Sequence, residues 1–161
     1  MTPSPRLTAL KDILARVEMA TGPDCEIGAM IYELSGINEA HCLDWCRMDM
    51  RKDITRDMFL KAWAPSFTAS MDPCIDLAER ALPGWAWKCG SCCVSDDAWV
   101  APDFNSPHHG ARLREEIGPF ESGSVWDAGV DIDRCPPGNV PLAMLEAILT
   151  ALIAIEEKGS A

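Results

Sequence analysis

The segment Ala20–Asp24, which reads ATGPD, constrains the fold of this chain more than any other feature. Gly22 can adopt a positive φ angle and end a helix, and Pro23 prevents that helix from continuing. Asp24 is among the residues preferred for capping the start of a following helix. The segment therefore predicts two helices joined by a tight turn.

Hydrophobic periodicity predicts the remaining elements. Trp85 and Trp87 alternate with small or polar residues, as in a half-buried strand, and Pro83 and Gly84 form a turn before them. The last helix is apolar on two flanks, which is typical of a helix that is deeply buried or faces another subunit. The predicted helices span about residues 5–20, 24–35, 70–82, 111–117 and 140–158, and the predicted strands lie around residues 85–87, 98–101 and 125–133.

Three segments of the chain resemble the phage ABA sandwich domain family. They are the ATGPD turn, the turn at Phe67–Asp72 with the helix that leads to Leu82–Trp87, and the proline-rich entry to the last helix at Pro136–Pro141. The resemblance implies a tailed-phage or prophage protein with a small sheet covered by helices, and it implies no biochemical activity. Residues 37–66 depart from the family pattern and are predicted to form a helical insertion.

These features together predict an α+β fold in which a small antiparallel β-sheet is sandwiched between α-helical layers (α-β-α). The 161 residues are predicted to form a single domain, since a chain of this length buries roughly 68–70% of its unfolded surface. We expect residues 1–161 to belong to that one domain.

The charge balance bears on partners and location. The chain has 14 Lys and Arg against 25 Asp and Glu, a net charge of −11, whereas binding to nucleic acid needs clustered basic residues. The acidity serves solubility, or it offers a negative surface to a basic partner. The start of the chain has no apolar segment typical of a signal peptide, and no apolar run is long enough to span a membrane. We therefore expect a cytoplasmic protein with reduced thiols, no direct nucleic-acid binding and no membrane contact.

The chain contains eight cysteines, and some of them permit a zinc site. Cys89 and Cys92 form a C-x-x-C pair, which binds Zn²⁺ when it lies on a tight turn, and His108 and Cys135 are candidates for the other two ligands. The same pair is also the spacing of a redox site. The alternative that we favour is buried or idle thiols, because cysteine is among the most buried residue types. We accordingly expect no cofactor.

Binding residues are sought among the tryptophans, the loop aspartates and the arginines. An exposed tryptophan on the sheet would be a binding anchor, although packing in the core is favoured for most of the rings. The aspartates suit acid–base chemistry or a divalent ion, but they are also ordinary turn residues. Two arginines could contribute to a basic pocket for an anionic nucleotide. The candidate binding residues are Trp85, Trp87, Trp99, Asp96, Asp97, Asp103, Arg112 and Arg134.

Four common motifs of enzyme active and nucleotide-binding sites are missing from the sequence. The patterns G-x-S-x-G, H-E-x-x-H, G-x-G-x-x-G and the P-loop are all absent. We therefore expect a phage-encoded accessory protein that binds rather than catalyses, and that inhibits a host or anti-phage defence component, either a protein complex or a nucleotide signal. The alternatives are a virion or tail-associated structural or assembly protein, and a zinc-binding protein or enzyme. The second apolar stripe of the C-terminal helix also predicts a homodimer with Ile148 in its interface.

Overall fold

The computed structural model describes residues 4–34, 66–117 and 129–159. The described elements, in chain order, are α1 (Pro5–Met19), α2 (Cys25–Leu34), α3 (Met71–Ala81), β1 (Trp85–Ser91), β2 (Asp96–Pro102), α4 (Gly110–Ile117), β3 (Val130–Arg134) and α5 (Val140–Gly159). The strands form an antiparallel sheet against which helices pack, so the predicted α+β class is confirmed. Trp126 and all of the predicted insertion except Ser66 lie outside the described residues.

The sheet has the order β1-β2-β3, and the alternation of side chains divides it into two faces. The inner face packs against α5 and carries Trp85, Trp87, Cys89, Ala98, Val100, Val130 and Ile132. The outer face, on the opposite side of the strands, carries Ala86, Lys88, Gly90, Asp97, Trp99, Ala101, Asp131 and Asp133. Trp85 and Trp87 therefore share a face, as predicted, whereas Trp99 lies on the other one.

Helix α5 is the centre of the hydrophobic core. It contacts all three strands and also packs against α1 and α3. Both apolar flanks of α5 are buried in these contacts, and Met144 and Ile148 are completely buried. Ile148 is thus unavailable for the predicted homodimer interface, which is a correction to that prediction. Helix α1 packs mainly on α5, because α5 already occupies the inner face of the sheet.

Local chemistry sets the helix ends. The Ser4 hydroxyl accepts the N–H of Leu7 at 3.0 Å and caps α1. The Asp24 carboxylate accepts the N–H groups of Glu26 and Ile27 in the first turn of α2 at 2.8 and 3.2 Å, so the predicted cap at Asp24 is confirmed. The prediction for Gly22 was wrong, because it does not adopt a positive φ angle and α1 ends at Ala20 in an extended conformation. None of the helices in the described parts of the chain is both long and apolar enough to cross a membrane.

Candidate functional site

The three segments that resemble the phage family meet at one end of the sheet. The Thr68 hydroxyl accepts the N–H of Asp24 at 2.7 Å and donates to the carbonyl of the same residue at 3.1 Å. The side-chain amide of Asn139 donates to the Thr68 carbonyl at 3.0 Å. Direct hydrogen bonds therefore join three turns that lie far apart in the sequence, and sequence reasoning alone gave no signal for this contact.

Asp96 lies beside these turns and is almost completely buried, with 1% of its surface exposed. Its carboxylate accepts hydrogen bonds from the Ser91 hydroxyl at 2.5 Å and from the N–H groups of Gly138 and Asn139 at 2.7 and 2.5 Å. The Ser91 hydroxyl, followed by these two N–H groups and the charge of Arg134, holds the pKa of Asp96 below its ordinary value although burial opposes this. Asp96 thus anchors the loop before α5. The prediction that Asp96 is a binding residue was wrong, because its carboxylate is buried and already bonded.

Arg134 pairs with Asp96 in the sheet register and has an equally structural role. Its guanidinium donates to the carbonyls of Val17 and Ala20, at 3.1 and 2.6 Å, and to Glu146 at 2.8 Å. These carbonyls belong to the last turn of α1, where a cation is favourable. Arg134 therefore caps α1 from the sheet and takes the place that Gly22 was predicted to fill.

The predicted basic pocket is not formed. Arg112 lies near the start of β1, where it donates to the Pro83 carbonyl at 3.0 Å and forms an ion pair with Glu116. Arg134 lies at the other end of the sheet. A strand of seven residues is about 20 Å long, so the two arginines cannot contact one small ligand. The cleft of about 370 Å³ beside Arg134 is bordered by acidic residues, namely Glu18, Asp133 and Glu146.

The predicted zinc ligands are not brought together either. Cys89 lies within extended β1, and three residues of extended chain separate two α-carbons by about 10 Å, so Cys89 and Cys92 do not form a tight turn. His108 lies in the loop before α4, at the opposite end of the sheet from Cys92 and Cys135. This ligand set was therefore wrong, and no group of three metal-binding side chains occurs among residues 4–34, 66–117 and 129–159.

The thiols differ strongly in their environments. Burial raises the pKa of Cys74 to about 12, and its thiol donates to the Phe67 carbonyl at 3.0 Å. Cys92 is exposed, and the N–H groups of Val94 and Ser95, each 3.4 Å from its sulfur, lower its pKa. The sequence could not distinguish these two cysteines, because the difference depends on burial and on a hairpin turn.

The outer face combines like charges with an aromatic ring. Asp97 and Asp133 are direct partners across β2 and β3, and Asp131 is the partner of Trp99. Like charges directly opposite one another destabilise a sheet. Among the described strand residues on this face, Lys88 carries a cation, and its ammonium lies 6.0 Å from the centre of the Trp99 ring. The described strand residues of the outer face therefore carry more negative than positive charge, and a cationic partner would offset the excess.

Sequence reasoning missed two members of this acidic group, Asp131 and Asp133. The signal was present in the alternating sequence of β3, where Val130 and Ile132 face the core and the two aspartates face away. Asp103 was also a candidate, but its carboxylate accepts the N–H of a nearby loop residue at 3.0 Å, as an ordinary turn residue does.

The remaining tryptophan candidates lie on the inner face. Trp85 is partly buried and packs against the core, which was the favoured prediction, whereas Trp87 is 36% exposed.

A comparison of the chain with protein-family models, with curated proteins and with solved structures finds no match. The resemblance to the phage family therefore stays a prediction.

Proposed function

We propose that this protein acts by binding, without catalysis, and that the outer face of its sheet docks a basic surface of a partner protein. The observation that carries the proposal is the direct pairing of Asp97 with Asp133, with Asp131 on the same face. A partner that brings lysine or arginine to this face relieves the repulsion between the carboxylates. The partly exposed Trp99 ring at its centre supplies an aromatic contact of the kind enriched in interfaces.

Charge also favours this class of partner over a nucleotide or a nucleic acid. A net charge of −11 attracts a basic protein over a long range and accelerates its association. The two arginines predicted for a nucleotide pocket lie at opposite ends of the sheet, where Arg134 is already committed to Glu146 and to α1. From the phage resemblance we further propose that the partner is a host or anti-phage defence protein in the bacterial cytoplasm.

The experiment compares two variants that lose the same amount of charge. One replaces Asp97, Asp131 and Asp133 by asparagine, and the control carries Asp12→Asn, Glu79→Gln and Glu115→Gln at exposed helical positions. Each tagged protein is used to capture partners from a bacterial lysate, and the affinity of the partner enriched by the wild type is then measured with purified components at low and high salt.

We expect the outer-face variant to bind that partner at least about tenfold more weakly, which is a loss of roughly 1.4 kcal/mol of binding free energy. The control variant should bind like the wild type. Binding of the wild type should also weaken with salt, since exposed charges are screened. Equal affinities of the two variants, or no partner enriched by the wild type, would overturn the proposal.

A further inference from the structure

Strand β1 lies at an edge of the sheet, and its hydrogen-bonding pattern can be derived from the two bonds that bracket it. The N–H of Cys92 donates to the carbonyl of Ser95 at 2.9 Å, and the N–H of Asp103 donates to the carbonyl of Gly84 at 3.0 Å. In an antiparallel pair, hydrogen-bonded positions alternate along each strand. The even-numbered residues of β1 therefore bond to β2.

The odd-numbered residues of β1 direct their backbone groups away from β2. Trp87, Cys89 and Ser91 thus point N–H and C=O groups outward, and the described residues make no hydrogen bond to them there. Such an edge can accept another strand. Trp87 is also 36% exposed beside this edge, which leaves apolar surface for an added strand to cover.

The side chains on the outer face of β1 indicate which strand fits. Gly90 is the partner of Asp97, and a Cβ atom on Gly90 would lie only 3.2 Å from a carboxylate oxygen of Asp97. The Asp97 carboxylate therefore leans over Gly90 toward the edge. Lys88, two residues earlier in β1, is exposed and carries a cation on the same face. Strand β1 consequently presents the cation of Lys88 and, two residues later, the open space above Gly90 beside the carboxylate of Asp97.

We propose that two copies of this chain form a homodimer in which their β1 strands pair antiparallel about a twofold axis at Cys89. In this register Lys88 faces the partner's Gly90 and lies next to the partner's Asp97. Cys89 faces the partner's Cys89, and Trp87 faces the partner's Ser91. The facing residues Trp87, Cys89 and Ser91 are those whose backbone N–H and C=O groups point away from β2. They can therefore form hydrogen bonds with the partner strand, and the two sheets become one continuous sheet.

The charges select this register over its neighbours. An axis at Lys88 would set the two lysines directly opposite each other, which is unfavourable. An axis at Gly90 would place each Lys88 opposite the partner's Cys92, two residues along the strand from the partner's Gly90 and the Asp97 beside it. The interface is isologous, as expected of a twofold dimer, and it joins the two acidic outer faces into one surface. The inference does not depend on the partner protein proposed above.

Sedimentation velocity under reducing conditions, over a wide range of protein concentration, tests the dimer. The wild type should approach twice the chain mass of 17.6 kDa. Lys88→Glu places a carboxylate beside the partner's Asp97 and should weaken the dimer at least about tenfold. Arg114→Glu, the same charge change at an exposed position of α4, should leave it unchanged. Circular dichroism confirms that each variant is folded.

A crosslink tests the register. Hydrogen-bonded antiparallel residues have α-carbons about 5.5 Å apart, a separation that a disulfide can bridge. Treatment with diamide removes two electrons and two protons from a pair of thiols, forms one S–S bond and reduces diamide to its hydrazine. Peptide mass spectrometry should then find a link between the two copies of Cys89, and this link should be lost in Lys88→Glu.

Three results would overturn the proposal. They are a single-chain mass at every concentration, a dimer that Lys88→Glu does not weaken, and a dimer whose intermolecular disulfides form only through the exposed Cys92, Cys93 or Cys135.

Discussion

Replacement of Asp96 measures how strongly one buried carboxylate holds the loop before α5 to the sheet. The carboxylate accepts three hydrogen bonds, from Ser91, Gly138 and Asn139, at 2.5, 2.7 and 2.5 Å. A hydrogen bond to a charged group contributes about 1.5–3 kcal/mol, and losses within one network are not additive. We therefore expect Asp96→Ala to lower the free energy of unfolding by about 3–5 kcal/mol, and Asp96→Asn, which keeps an acceptor oxygen, by about 1–2 kcal/mol.

Urea denaturation followed by circular dichroism gives these differences, with Asp131→Asn as the control. Asp131 is an exposed aspartate of the same sheet, so its replacement should change the free energy of unfolding by less than about 0.5 kcal/mol. Repeating the measurement with pH tests the electrostatic part. Because the pKa of Asp96 is lowered in the folded state, its contribution is complete above the ordinary value of 3.8 and is lost as the pH falls through the lowered value.

The stability difference between the wild type and Asp96→Asn should therefore be constant near neutral pH and should shrink in strong acid. The reasoning is refuted if both Asp96 variants unfold within about 0.5 kcal/mol of the wild type, or if the difference grows as the pH falls below 3.8.

Three further predictions concern the thiols and the core. Cys92 should react with iodoacetamide at neutral pH far faster than Cys74, because their pKa values move in opposite directions; timed alkylation with peptide mass spectrometry checks this, and equal rates contradict it. Thr68→Val should cost about 1–3 kcal/mol in urea denaturation, since it removes two backbone contacts of a buried hydroxyl, and the exposed Thr8→Val should cost much less. Ile148→Asp should lose more than about 4 kcal/mol or fail to fold, because it buries an unpaired carboxylate; a stable, folded variant by circular dichroism and light scattering would contradict the burial of that side chain.

The parts of the fold that were predictable are those that neighbouring residues determine. Ser4 and Asp24 lie next to the N–H groups that they cap, so the starts of α1 and α2 could be identified from the chain itself. The apolar flanks of α5 identified a helix but left two explanations open, burial and oligomerisation. Only the packing of α5 between the sheet and α1 distinguishes them.

The candidate site was harder to predict because it depends on strand register. The role of Asp96 follows from its position opposite Arg134 and beside the loop before α5, and no local pattern reveals that position. The spacing of Cys89 and Cys92 suggested a turn, but pairing of Gly90 with Asp97 keeps this stretch extended despite the weak strand preference of glycine. Tertiary pairing thus overrides a local motif at this point.

The central position of α5 also governs the order in which this chain can fold during synthesis. All the strands and the helices α1 and α3 bury their apolar surface against an element that follows them in the sequence. A nascent chain that stops before Val140 therefore lacks the element on which α1, α3 and the sheet bury their apolar surface, although α1 and α2 can still contact each other. Contacts of such long sequence separation form slowly, and exposed apolar surface favours aggregation in the meantime. The described hydrophobic core is therefore complete only after α5 has been synthesised and has left the ribosome.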